Sequence, residues 1–225
     1  MRNWRDLNGW NGDSVGALDT KDNVFVDTDE RVIYLSDDVD NACIGLICSN
    51  IILANAADDS LEKTRVNFTR EPIRIYINSF GGSVYDMWAL IDTIQESKTP
   101  IHTYCQGYAM SAAFQIFLAG HKRFCSRHST FMYHQMHCYR SGKYQDMVED
   151  REQMDYMNKQ MEEFVKERTK LTQKDLDSIR EKKKDNFFTA KQAKELGIVD
   201  EILGGAKVKD ASCQKTDSKR KEKVA

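Results

Sequence analysis

"IRIYINSFGGSVYDMWALIDTIQE", residues 73–96, passes through three chain geometries without a linker. Ile73, Ile75 and Ile77 alternate with Arg74, Tyr76 and Asn78, the period-two pattern of a strand with two differently solvated faces. Gly81-Gly82 interrupts that pattern, and Ser83-Val84-Tyr85-Asp86 is an S-x-x-D capping signal that opens a helix to about Glu96. Strand, glycine pair and helix in direct succession are the building unit of an α/β domain.

The theme recurs on both sides. Downstream of Pro100, "IHTYCQ" predicts a strand that leads through Gly107 and small residues into the apolar "SAAFQIFLAG". Upstream, "RVIYLS" (31–36) predicts a strand, and Asp38 is a candidate cap for a helix from about Val39 to Ala54 with Ile44, Ile47 and Ile51 on one face. The polar stretch "ADDSLEKTRVNFTREP" (57–72) reads as a surface excursion. "KRFCS" and "TFMYHQM" are strand-like, the second bearing His134. From Tyr144 to about Lys170 the pattern predicts one long charged helix, roughly 40 Å at about 1.5 Å per residue. On it Met147, Met154, Met157, Met161 and Phe164 form a narrow heptad seam suited to meeting another helix. Thr172 and Thr189 head two further capped segments, the second closed by Gly197 before "IVDEIL". Residues 1–29 read as an N-terminal arm and 204–225 as a disordered basic tail, leaving one domain over 30–203.

Composition narrows the function. With 33 basic and 35 acidic residues in 225, the formal net charge is −2, so no overall field draws nucleic acid or a membrane surface. "MRNWRDLNGWNGDSVG" lacks the apolar core of an export signal, and no uninterrupted apolar run approaches the roughly 20 residues that span a bilayer. Six cysteines are scattered without a C-x-x-C pair, which argues against a zinc module and fits thiols kept reduced in a cytoplasm. No G-x-x-x-x-G-K-[ST] phosphate loop is present.

Ser111, in "GYAMSAAF", follows a predicted strand and opens a helix, where free N–H groups point toward any oxygen bound beside it. The residue is either a nucleophile or a small packing residue. Gly82 and Ala112 are candidate N–H donors to a developing oxyanion, or parts of ordinary strand-to-helix turns. A serine nucleophile needs a base, and His134, at the end of an apolar strand, is the best of the five histidines. Asp185, in "KKKDNFFTA", is the candidate acid to orient it; Asp150 and Asp155 read as solvated helix charges.

"YINSFGGSVYDMWALIDTIQ", "GYAMSAAF", "KRFCSRHSTFMYHQM", the long charged helix and "DNFFTAKQAKELGIVDEIL" occur in one order, and together they resemble the ClpP family of proteolytic subunits of the ATP-dependent Clp protease. The likeness covers roughly residues 30–203. It implies a crotonase-like α/β spiral of stacked ββα units with a protruding handle helix at about 144–170. It places the nucleophile on Ser111, the general base on His134, the acid on Asp185 and the oxyanion donors on Gly82 and Ala112. It implies heptameric rings stacked as a tetradecamer around a closed chamber, and an axial-loop role for the N-terminal arm. The partner implied is an AAA+ unfoldase that consumes ATP and feeds polypeptide substrates, docking at Tyr76, Phe124 and Leu203. The subunit itself would hold no nucleotide, other cofactor or metal, and would work in the cytoplasm, with an organellar or viral origin equally compatible.

Several positions depart from the family pattern. Phe80 and Met136 stand where proline is usual, Asn186 stands where arginine follows the acid, and "HCYRSGKY" replaces a glycine-rich strand. Arg74 and Glu96 replace aromatics of the docking pocket. These departures motivate an alternative, a catalytically weak or inactive subunit that shapes a mixed ring. A third reading keeps the fold and assigns acyl-CoA chemistry to the two oxyanion donors.

Overall fold

The period-two pattern at the centre of the chain is obeyed strictly: Ile73, Ile75, Ile77 and Ser79 are buried while Arg74, Tyr76 and Asn78 stay partly exposed. In the computed structural model, which describes residues 24–137, 141–182 and 185–204, these residues form the third strand of a mixed sheet. The elements are β1 Val24–Asp27, β2 Val32–Leu35, α1 Asn41–Thr64, β3 Ile73–Ser79, α2 Val84–Glu96, β4 Ile101–Met110, α3 Ala112–Ala119, β5 Lys122–Ser126, β6 Thr130–Tyr133, α4 Tyr144–Arg168, α5 Gln173–Lys182, β7 Asn186–Thr189, α6 Ala190–Glu195 and β8 Glu201–Leu203.

The sheet runs β1-β2-β3-β4-β5-β8, parallel from β2 onward, with β1 antiparallel at one edge. Successive strand–helix units pack α1 on α2 and α2 on α3 over the sheet, and Ile47, Leu90, Ile91, Phe114 and Phe117 fill the layer between. Ser83 accepts from the Asp86 N–H and Thr189 forms a reciprocal box with Gln192, so these two caps legible in the sequence are used.

Three local expectations change. β1 lies inside the stretch read as an arm, whose first 23 residues, like the tail from 205, fall outside the described residues. The cap of α1 is Asp40, not Asp38; its side chain accepts from Cys43 N at 2.8 Å. That helix continues past Ala54 to Thr64, through the segment expected to be a surface excursion. The reason is Asp58, whose side chain is fully buried and held bidentately by Arg31 at 2.6 and 2.8 Å and by Thr99 Oγ1 at 2.7 Å. A carboxylate anchored to the start of β2 and to the turn before β4 lies within the further stretch of nearly three turns, at about 3.6 residues per turn, which a hydropathy reading of "ADDSLEKT" cannot reveal. By length and composition α1 is apolar enough to cross a membrane, but Ile44, Ile47 and Ile51 pack it into the core.

α4 is the expected long helix. Its C-terminal half is buried through Met157, Met161, Phe164 and Val165, whereas Tyr144, Met147 and Tyr156 in the rest stand exposed, so it projects from the body.

Burial would raise the Asp58 carboxyl, but hydrogen bonds from Arg31 and Thr99 and the guanidinium charge hold it below its ordinary value. The pair therefore contributes stability above the unfolded carboxylate pKa of about 4 and loses it as pH falls through the lowered folded value. Asp58→Ala is expected to cost about 3 kcal/mol, read from the urea midpoint, because it strands a largely buried guanidinium; Asp58→Leu with Arg31→Met should recover most of that loss.

Candidate active site

β4 is longer than its neighbours and is shared between two of them. Its first half, His102 to Cys105, pairs with β5, and its second half, Tyr108 to Met110, pairs with β6. Between the halves the register against β3 slips, from Ile77↔Cys105 to Ser79↔Ala109. Gly107 sits in the slip at φ 104°, where an added Cβ would lie 2.2 Å from Asn78 Oδ1. Where β5 leaves, the buried Ser129 hydroxyl takes over the Cys105 carbonyl at 2.7 Å. The result is a fork, with β6 carried beside the end of β4.

That fork brings the site together. Met110 pairs with Met132, so Ser111 and His134 emerge side by side from the carboxyl ends of two parallel strands, the usual place for a site in an α/β sheet. Ser111 Oγ lies 2.7 Å from His134 Nε2. β7 runs antiparallel to β6 with Tyr133↔Asn186, and one further step in that register sets Asp185 opposite His134. Residues separated by up to 74 positions in the chain are thus carried to one end of the sheet by backbone pairing.

Ser111 stands at the N-cap position of α3. It makes no side-chain capping bond and adopts φ 52°, ψ −122°, a sharp turn between β4 and α3 that an L-residue holds at a cost of about 1–3 kcal/mol. Its amide is pinned to Met132 O at 3.0 Å and its carbonyl accepts from Phe114 at 3.1 Å. α3 behind it is buried from Ala112 to Ala119, so the turn is fixed from both sides.

The glycine pair divides into two tasks. Gly81, at φ 105°, packs so closely that a Cβ would lie 2.8 Å from Ala112 N, from Met110 O and from Ser111 Cβ. Gly82 faces Val39, whose carbonyl would be 2.3 Å from an added Cβ. The bridge Val39↔Gly82 uses the Gly81 carbonyl and the Ser83 N–H, which leaves the Gly82 N–H outside the ladder. Ala112 opens α3, where an N–H has no intrahelical acceptor. Gly81 thus brings the glycine pair against the Ser111–Ala112 turn; the need for Gly81 escaped the sequence, where nothing distinguishes the two glycines.

His134 is half-buried, and burial first, then the like charge of His137, lower its pKa, while Asp185 opposes them. Its Nδ1 faces His137 Nε2 at 3.4 Å, so a second imidazole, not the carboxylate, occupies the atom that the acid was expected to hold. Asp185 is exposed and acts on His134 through its charge. His137 carried no signal in the sequence beyond its place in a polar hairpin.

Burial pushes the thiols of Cys43 and Cys105 up to about 12 and that of Cys125 to about 11, which removes them as nucleophiles near neutrality. Among the described residues no group of three or more His, Cys, Asp and Glu is placed to hold a metal ion. Away from the site, Tyr76 and Phe124 lie on one partly exposed sheet face, joined by Tyr104, which stacks on each at 4.8 Å; Leu203 lies on the adjoining edge strand. Phe80 is 64% exposed beside the glycine pair, with its ring 4.3 Å from that of Tyr108.

The family model for Clp protease matches residues 19–206 of this chain. The chain belongs to the Clp protease family. It is 34% identical over 180 residues to the ATP-dependent Clp protease proteolytic subunit 1 of Corynebacterium jeikeium, an alignment covering 79% of this chain and 89% of that one. With proteolytic subunit 2 of Corynebacterium diphtheriae it shares 35% identity over 79% of this chain and 84% of the other. Proteolytic subunit 1 of Prochlorococcus marinus subsp. pastoris is 31% identical over 80% of this chain and 87% of its own length. The Clp protease fold is thus the α/β architecture described above, in which the order of strand–helix units places the serine turn at the carboxyl end of β4.

Gly81→Ala forces a Cβ against Ala112 N and the Ser111 turn at a positive φ. The expected outcome is a fall of at least about 10²-fold in peptide hydrolysis, comparable to loss of an oxyanion donor, with far-UV circular dichroism unchanged.

Proposed function

We propose that this Clp protease family member is a serine endopeptidase that cuts unfolded polypeptide, with Ser111 as nucleophile, His134 as general base and acid, and Asp185 as the charge that stabilises the imidazolium. The observation that carries this reading is the 2.7 Å contact between Ser111 Oγ and His134 Nε2 at a strained strand-to-helix turn. Ser111 Oγ attacks the peptide carbonyl carbon as its proton passes to Nε2. The carbonyl oxygen becomes an oxyanion that receives the N–H groups of Gly82 and Ala112. The C–N bond then breaks as Nε2 returns the proton to the amine, and water repeats the sequence on the acyl-enzyme.

The names of the relatives attach ATP dependence to their proteolysis, and this chain carries no phosphate loop of its own. ATP is accordingly consumed by a partner unfoldase, and the Tyr76–Tyr104–Phe124 face with Leu203 is the docking surface, apolar yet ringed by Arg74, His102 and Lys122. Self-assembly into stacked heptameric rings would cover the exposed Leu46, Ile52 and Leu53 of α1 and the projecting half of α4. Among the described residues Cys43, Cys48, Cys105 and Cys125 are free thiols, three of them buried, which suits a reducing, cytoplasmic setting. An inactive ring subunit would have no use for a formed serine–histidine pair, nor would thioester chemistry of the crotonase kind.

Ser111→Ala should lower peptide hydrolysis by more than about 10⁴-fold, and a fluorophosphonate should label Ser111 in the wild type but not in His134→Ala. Unchanged hydrolysis in Ser111→Ala overturns the reading. Because the lowered pKa keeps His134 neutral further into acid, the acid limb of kcat/KM should lie below the ordinary histidine value of about 6.5. A limb well above that value in a pH–rate profile would contradict the environment described for the base.

A further inference from the structure

His134 can accept the Ser111 proton on Nε2 only if its resting proton sits on Nδ1. The atom facing Nδ1 must then be an acceptor, and that atom is Nε2 of His137 at 3.4 Å, with the two rings 4.6 Å apart and their planes at 88°. An imidazole nitrogen accepts only when it is unprotonated. The segment from His134 to His137 is not left loose after β6: the Met136 N–H donates to Asn158 Oδ1 of α4 at 3.4 Å, and the Met136 side chain packs against the core. Asp185 and His137 are both exposed, and Asp185 stands opposite His134 as a charge.

We propose that His137 is a positioning residue for the general base: its neutral Nε2 accepts the Nδ1–H of His134 and fixes the productive tautomer, so that one proton on His137 disables the site. The inference rests on the serine endopeptidase reading of the same site. It divides between two groups the work a single carboxylate could do, orientation going to His137 and charge stabilisation to Asp185. A protonated His137 presents a donor where an acceptor is required, and it places a positive charge beside the imidazolium that forms during attack.

Among the described residues, the groups facing this pair are few. Asp185 approaches from the start of β7 and the neutral Ser111 from α3. Behind the strand end, Asp155, Lys159 and Glu162 of α4 and Arg180 of α5 line a cavity with Tyr133 and Gln135, and Glu162 is paired with Arg180 at 2.9 Å. Among the described residues none of these is placed at Nδ1 of His134, where His137 Nε2 stands.

The test compares the full-length wild type with His137→Gln and His137→Leu. Glutamine offers a non-titrating carbonyl acceptor; leucine offers none. In the wild type, log kcat/KM against pH should steepen toward a slope of two at the acid end. In His137→Gln it should keep a slope of one, with the plateau within a few-fold of wild type. His137→Leu should lose about 10²-fold in kcat with KM little changed. Diethyl pyrocarbonate, which acylates neutral imidazole, gives a readout independent of turnover: mapped by mass spectrometry, the pH profile of His134 modification should move upward in His137→Gln, where a like charge is gone. If slope, kcat and modification profile all match the wild type in both variants, the proposal is overturned. If the wild type cleaves no peptide, the protease reading falls, and the His134 modification profile alone decides whether His137 holds the base.

Discussion

The active-site geometry depends on the division of β4 between two partners. A strand that kept β5 along its whole length would carry Ser111 away from β6 and leave His134 on a distant edge. The slip at Asn78 and Gly107 prevents this, because only a residue without a Cβ admits the Asn78 carboxamide so close to the backbone. The Tyr108 N–H also turns to Asn78 Oδ1, at 3.3 Å, and the Ser129 hydroxyl satisfies the Cys105 carbonyl that the fork frees. These two backbone groups at the fork thus find side-chain partners, as a buried change of strand partner requires.

A second constraint follows from the first. Once β4 is aimed at the site it must reverse within one residue to bury α3, and Ser111 takes the strained conformation that this demands. The surroundings over-determine it: β6 holds its amide, α3 is buried along its length, and Gly81 comes within contact of its Cβ position. The strain leaves the hydroxyl pointing at His134 Nε2 instead of into a capping bond.

The electrostatics of the base differ from a simple serine–histidine–carboxylate line. Burial and His137 act against the imidazolium, and Asp185 acts for it from an exposed position, where water and salt weaken its charge. A base kept neutral in this way is ready to receive a proton near neutral pH, while the stabilisation of the charged form is modest. The second histidine also ties the site to α4 through Met136 and Asn158, so the helix that projects from the body contacts the loop that sets the base.

The strand–helix units, most of the caps and the core alternation of Ile73, Ile75 and Ile77 were legible in the amino-acid sequence, which also singled out Ser111, His134 and Asp185 as candidates. These follow from local period, capping chemistry and the match of several short stretches in order. It did not determine the end of α1, because a polar run reads as surface until a distant arginine is known to meet Asp58. Nor could it distinguish the tasks of Gly81 and Gly82, since the atoms that exclude a Cβ belong to residues 110–112 in one case and Val39 in the other. The partner of His134 Nδ1 was likewise decided only by tertiary structure. Register across β6 and β7 brings Asp185 opposite the base, but the short turn after β6 brings His137 into hydrogen-bond distance first.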